Sequence, residues 1–301
     1  MRVLVSGSTG LVGTELVEQL TSHGHQPVRL LRGPATDGVD HFRWDPSKGD
    51  LDPGAVESVD AVVHLAGESI ASRRWTKAQK QRILQSRVTG TTLLADAVAS
   101  AGEPPSVFLS GSAIGFYGNR GDERLTEQSP PGQGFAAEVC IAWEAATNTI
   151  STDSTRVTHL RTGIVLDANR GALAEQLPFF RLGLGGRIGS GQQWFSWISL
   201  ADEVAAILHL LDADIEGPAN LTAPSPVTNA EFTAALGGAL KRPTAIPTPK
   251  LALWAKLGRE LSQTLLEGGA HVSPVVLAED GFVFGDQLVD DALRRILGST
   301  D

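Results

Sequence analysis

Cysteine and tyrosine each occur once in 301 residues, as Cys140 and Tyr117. A lone cysteine excludes an internal disulfide and fits a reducing compartment. There is no basic excess. The net charge of −9 argues against a nucleic-acid or anionic-membrane partner, because both require a basic face. Long apolar runs are missing too: Arg2 to Val5 suits a buried strand and is too short to cross a membrane. No basic segment followed by an apolar stretch and a small-residue cleavage site opens the chain, so a cytoplasmic location is expected. The histidines at 23, 25, 41, 64, 159, 209 and 271 have no ligand spacing, so no metal is expected. No internal repeat or low-complexity tract is present. What remains is ordinary: 42% hydrophobic and 20% charged residues, enough chain for one extended α/β domain or two unequal lobes.

The chain is organised around its first thirteen residues, MRVLVSGSTGLVG. An apolar strand breaks into Gly7, Gly10 and Gly13, and apolar Leu16, Val17 and Leu20 then give Thr14 to His23 helical spacing. Strand, glycine turn and helix are the context in which a glycine pattern binds a dinucleotide. Gly7 permits the tight turn, Gly10 lets the backbone approach a pyrophosphate, and Gly13 lets helix and strand pack closely. Thr9, Leu11 and Val12 complete the turn, placing the pyrophosphate at the helix N-terminus, where free N–H groups and the dipole favour an anion.

Further strands are expected at Pro27 to Leu31, His41 to Trp44, Asp60 to Ala66, Ser106 to Leu109 and Arg156 to Leu166. Thr76 with Gln79 reads as a capping box opening a long helix, and Phe135 to Ala146 reads as another helix. Strands alternating with helices predict an α/β fold, a doubly wound parallel sheet of the Rossmann type. Beyond Asp167 the rhythm changes: GLGGRIGSG at 183–191, the aromatic WFSWI at 194–198, a helix over Ser199 to Leu211, a sheet return at Gly217 to Leu221, then short helices separated by Pro226, Pro243, Pro247, Pro249 and Pro274. The expected division is a dinucleotide-binding domain over 1–166, with 199–222 returning to it. A smaller α+β substrate lobe over 167–301 then covers the carboxyl edge of the sheet.

These segments resemble the extended short-chain dehydrogenase/reductase superfamily, and within it an atypical branch called NAD-dependent epimerase/dehydratase or epimerase family proteins. The resemblance is carried by the glycine turn, HLAGESI (His64 to Ile70), RRW (Arg73 to Trp75), Ser86–Arg87, SGSAIGFYG (Ser110 to Gly118), FAAEVCIAWE (Phe135 to Glu144), RTGIVL (Arg161 to Leu166), GLGGRIGSGQQWFSWI and EDGFVF (Glu279 to Phe284). It implies that Leu65, Ala66 and Gly67 pass the cofactor ribose. The branch has no agreed substrate.

An NAD site usually carries an acid at the end of the second strand. Here VRLLRGP offers Arg32, with no acid before Asp37. A guanidinium suits a 2′-phosphate, so NADP(H) is the expected cofactor; a solvent-facing strand end is the plainer alternative. Arg87 falls on or beside the apolar stripe of its helix, where a cation needs an anion. It meets either a cofactor or substrate anion or an internal partner such as Glu68 or Asp96.

Ordinary members of the superfamily use a Tyr-x-x-x-Lys pair. Gly121 stands four residues after Tyr117, no lysine lies between Lys80 and Lys241, and the places of the pair hold Phe135 and Val139. Without a lysine, lowering a phenol pKa by three units needs about 4 kcal/mol. A neutral phenol still donates a proton to a carbonyl under reduction. The candidate catalytic residues are Tyr117, Ser112 and Glu138. Ser112 lies one place before the usual serine position, which holds Ala113, and Glu138 is otherwise a solvated helix-start carboxylate. Cys140 reads as a small buried hydrophobe. Arg73, Arg74, Lys77, Lys80 and Arg82 either receive an anionic substrate or are a solvated helix start, the plainer reading for all but Arg74, whose place beside Trp75 the resembling family shares; Trp194, Phe195 and Trp197 read as core packing more than a pocket wall.

The expected function is NADP(H)-dependent reduction of a small carbonyl or sugar-nucleotide-like substrate by a monomer or homodimer. The alternative is a non-enzymatic NADP(H)-binding protein. An epimerase ranks third, since it needs the base that is lacking.

Overall fold

A computed structural model describes residues 1–33, 40–71, 73–151, 153–248, 254, 258, 260–262, 264 and 269–298. Asp37 and Pro249 lie outside the described residues. In chain order the strands begin with β1 (Arg2–Ser6), β2 (Gln26–Leu31), β3 (His41–Asp45), β4 (Asp50–Leu51), β5 (Ala61–His64), β6 (Val107–Ala113) and β7 (Arg124–Leu125). They continue with β8 (Arg156–Thr162), β9 (Ile164–Leu166), β10 (Trp194–Phe195), β11 (Trp197–Ser199), β12 (Gly217–Leu221), β13 (Val227–Thr228) and β14 (His271–Val272). The helices are α1 (Leu11–Ser22), α2 (Lys77–Ser100), α3 (Phe135–Ala145), α4 (Gly171–Arg181), α5 (Leu200–Asp212), α6 (Asn229–Leu240), α7 (Val275–Glu279) and α8 (Val289–Gly298).

The main sheet has the order β12-β8-β6-β5-β1-β2-β3-β4. Its pairs are parallel except β3 with β4. The chain winds outward from β1 to β3, then returns to β5 on the other side of β1, with Val3 opposite Ala61 and Ser6 opposite His64. The order therefore reverses between β1 and β5, and the crevice beyond their carboxyl ends is where doubly wound sheets bind ligands.

Pleating sends alternate residues to opposite faces. Val3, Val5, Ala61 and Val63 join Leu16 and Leu20 of α1 and Val204, Ile207 and Leu210 of α5 in one core. Leu4, Val62 and Phe108 join Leu94, Ala95 and Val98 of α2 in the other. Both faces are thus covered, which is why these strands read as unbroken apolar runs. A third core lies among α4, α6 and α8, with Leu173, Leu177, Phe232, Leu236 and Leu293 packed on Trp197. Phe195 stacks on Phe232 at 4.2 Å, so two of the three aromatics of the 194–198 run are core.

Three local expectations differ from the structure. The first helix begins at Leu11, because Gly10 supplies its N-cap. At α2 half the capping box forms: Thr76 Oγ1 accepts from the Gln79 N–H at 3.2 Å. The Gln79 side chain turns away, donating to Glu68 Oε1 at 3.3 Å and accepting from Arg82. The strand expected over Arg156 to Leu166 breaks at Gly163, whose added Cβ would lie 2.8 Å from the Ser196 carbonyl oxygen. That close approach takes β9 out of the main sheet to pair with β11, Ile164 opposite Trp197.

Candidate functional site

The glycine turn is shaped by contacts only glycine tolerates. Gly7 has φ +68, and a Cβ there would lie 2.9 Å from Ala66 N, so the turn is seated on the segment leaving β5. A Cβ on Gly13 would come within 2.3 Å of the Gly7 carbonyl oxygen. The Gly10 N–H donates to that same carbonyl at 2.8 Å. The N-cap Gly10 has no side chain to cap α1 and no acid stands in its first turn, which leaves the first amides of the helix to an anion. The buried Ser8 hydroxyl has no partner among the described residues either.

The neighbouring wall is electrically neutral. Ser6 Oγ accepts from the N–H groups of Leu65 at 3.1 Å and Ala66 at 3.3 Å, and lies 2.6 Å from His64 Nδ1. Burial pushes His64 down to about 3, so the ring carries no charge at neutral pH. Ser6 and His64 thereby hold Leu65, Ala66 and Gly67 against the glycine turn without adding charge to the crevice.

Arg87 lies behind this wall. Its Nη1 donates to the main-chain carbonyls of Glu68 at 2.9 Å and Ile83 at 3.2 Å. Its guanidinium lies 4.9 Å from the Trp143 ring centroid, and a Cβ on Gly67 would be 3.2 Å from its Cζ. Burial lowers its pKa. Of the internal partners expected, Glu68 serves through its backbone carbonyl, and among the described residues no hydrogen bond joins Arg87 to the Asp96 carboxylate. Arg32 is exposed just beyond β2.

The expected proton donors lie in β6, in the turn after it and in α3. Tyr117, in a 3-10 turn over Ile114–Tyr117, is 0% exposed. Its hydroxyl donates to Asn220 Oδ1 at 2.7 Å and accepts from Arg161 Nη1 at 3.0 Å. Arg161 Nε and Nη2 bind the two oxygens of Glu144 at 2.8 and 2.9 Å, and its guanidinium stacks 3.5 Å from the Phe116 centroid. Ser112 Oγ donates to Glu144 Oε1 at 2.7 Å. Burial pushes the Tyr117 pKa up, against the opposing pull of Arg161.

Both hydroxyls are thus engaged inside the protein. Tyr117 and Ser112 are buried, with their hydroxyl protons held by internal acceptors, in a network that ties β6, β8, β12 and α3 together. Glu127 extends it, accepting from the Asn220 N–H at 3.1 Å. Glu138, by contrast, is exposed in the first turn of α3. Cys140 is buried, and burial pushes its thiol up to about 11. Around the basic cluster, Lys80 pairs with Glu260 at 2.8 Å, and Trp75 packs edge-on against Phe135 at 4.9 Å. Among the described residues no group of His, Cys, Asp or Glu is placed to hold a metal, and no helix is long and apolar enough to cross a membrane.

Two residues escaped the sequence reading. Glu203, 1% exposed, accepts from Thr162 Oγ1 at 2.8 Å, and burial pushes its carboxyl up to about 8. A signal for it exists, since Glu203 shares the apolar stripe of Ile207 and Leu210. Arg170 reaches across to the glycine turn, donating to the Thr9 carbonyl at 2.9 Å; nothing local in the sequence announces that contact.

Comparison with known proteins agrees with this geometry. The family described as NAD dependent epimerase/dehydratase matches residues 3–221. Epimerase family protein Mb2239 of Mycobacterium bovis is 42% identical over 293 residues, 97% of this chain and 96% of that protein. Human epimerase family protein SDR39U1 is 38% identical over 301 residues, 99% of this chain and 100% of that protein. The crystal structure of human SDR39U1 (isoform2) with NADPH superposes with a TM-score of 0.91 at 36% identity, covering 99% of both chains. A UDP-glucose 4-epimerase of Thermus thermophilus in complex with NAD shares the fold, with a TM-score of 0.75 at 21% identity over 100% of both chains.

Proposed function

The chain belongs to the NAD dependent epimerase/dehydratase family, and on that footing we propose that it binds NADP(H) and works in the reductive direction on a small carbonyl or sugar-nucleotide-like substrate. The observation that carries this reading is the glycine turn: Gly7 at positive φ and a crowded Gly13 hold the start of α1, which has no side-chain cap from Gly10, at the point where the strand order reverses. A diphosphate is the anion such amides accept. Arg32, exposed at the end of β2, is assigned to the 2′-phosphate, and Leu65 to Gly67 to the ribose. Bound NADPH supplies a hydride for a carbonyl carbon.

Burial of Tyr117, with its hydroxyl held between Asn220 and Arg161, weighs against it as the source of the accompanying proton. The closure of Tyr117 also favours a second reading, an NADP(H)-binding protein without turnover.

Titration with NADPH and NADH, followed by tryptophan emission and melting temperature, tests the cofactor. The wild type is expected to prefer NADPH. Arg32→Glu is expected to weaken NADPH by about tenfold or more and to shift preference toward NADH. Neither coenzyme changing either signal overturns the reading, and unchanged NADPH affinity in the variant removes Arg32 from it. Turnover with a carbonyl panel separates the enzyme from the non-catalytic binder.

A further inference from the structure

The guanidinium of Arg170 lies on the glycine turn although 160 residues separate Arg170 from Gly10. Nη2 donates to the Thr9 carbonyl at 2.9 Å, and Nη1 donates to the Gly10 carbonyl and to Thr14 Oγ1, both at 3.3 Å. The segment carrying it is built for that placement. Asp167 Oδ1 accepts from the N–H groups of Asn169 at 3.0 Å and Arg170 at 2.8 Å, which fixes the loop after β9. Gly171 follows with φ +77, where a side chain would strain the backbone, and a Cβ there would lie 3.0 Å from Leu11 Cδ2, so the segment packs directly on the start of α1.

The electrostatics are unfavourable for the protein alone. All three acceptors are neutral, and among the described residues no carboxylate pairs with the Arg170 guanidinium. The cation stands at the positive end of the α1 dipole, where cations are disfavoured and anions are stabilised. No acid in the first turn of α1 offsets it. The adjoining Ser8 hydroxyl is buried without a partner among the described residues. A positive side chain, a positive helix end and an unused hydroxyl at one place are reconciled by an anion arriving from outside.

We propose that Arg170 is a ligand of the cofactor's diphosphate, so that the site is closed by the segment after β9 as well as by the glycine turn. The proposal rests on the NADP(H) reading and deepens it. Among the described residues Arg170 Nε bonds no protein atom and remains for a phosphate oxygen, and a charge-assisted pair of this kind is stronger than a neutral one. Arg170 is also the N-cap of α4, so the bound diphosphate fastens α4 to α1.

The test is calorimetric titration of wild type and Arg170→Gln with NADPH, NADH, ADP-ribose and adenosine 2′-phosphate. The first three carry a diphosphate; the last does not. Arg170→Gln is expected to weaken all three diphosphates by a common factor, about tenfold to a hundredfold, and to leave adenosine 2′-phosphate unchanged. Unchanged affinity for the three overturns the proposal alone. Equal weakening of all four ligands also overturns it, because it marks general damage to the turn. A urea midpoint that falls in the variant while the affinities hold assigns Arg170 a purely structural tie. A wild type that binds none of the four overturns the cofactor reading itself, and this proposal with it.

Discussion

Replacing Glu203 with glutamine removes a carboxyl that burial has pushed from 4.5 up to about 8. Oε1 accepts from Thr162 at 2.8 Å and Oε2 has no partner among the described residues, so the folded protein keeps a proton that the unfolded chain releases. The stability this carboxyl contributes is complete below 4.5 and is lost as pH rises through 8, by about 1.4 kcal/mol per unit at the steepest. His64 has the opposite sign. Burial holds it down at about 3 from 6.5, so its contribution is present above 6.5 and lost as pH falls toward 3. The two slopes oppose each other between 4.5 and 6.5, and Glu203 is read cleanly above that window. Between about pH 6.5 and 9 it accounts for a loss of about 2 kcal/mol. Urea unfolding of both proteins across that range measures it: wild type should lose about 2 kcal/mol more than Glu203→Gln, whose amide does not titrate. Equal losses would mean that the folded carboxyl is already ionised, and the reading of Glu203 as a carboxyl kept neutral by burial would fall.

Gly13→Ala drives a Cβ to within 2.3 Å of the Gly7 carbonyl and should cost about 1–3 kcal/mol together with NADPH affinity. Gly238→Ala, exposed in α6 with nothing within 4 Å, should leave both intact or add slightly to stability; the two variants are compared by unfolding and by coenzyme titration. Tyr117→Phe strips Asn220 Oδ1 and Arg161 Nη1 of a shared partner and should cost about 1–3 kcal/mol of stability while NADPH affinity holds. Abolished turnover at unchanged stability would show that the phenol reaches a substrate after all.

The parallel strands were legible because both faces of the sheet are covered, which leaves each strand as a bare apolar run such as AVVH at 61–64. The glycine turn was legible because its requirements are local: a strand, three glycines and a helix within a dozen residues. What was not legible depends on distant partners. The chain breaks at Gly163 because the Ser196 carbonyl approaches it. Tyr117 is closed off by Asn220, 103 residues away. Arg161 lay in plain view within RTGIVL, yet its pairing with Glu144 needed the register of β6 against β8, Ser112 opposite Arg161. The local charge pattern gave no sign of Arg170, since its acceptors, two carbonyls and the Thr14 hydroxyl, are neutral and lie more than 150 residues away in sequence.

The sealed phenol has a practical consequence. Tyrosinate absorbance in alkali has a single source in this chain, and the folded protein withholds that source from solvent. Ultraviolet spectra recorded during an alkaline titration therefore double as a conformational clock, darkening when strands β6, β8 and β12 part company and the ring is released.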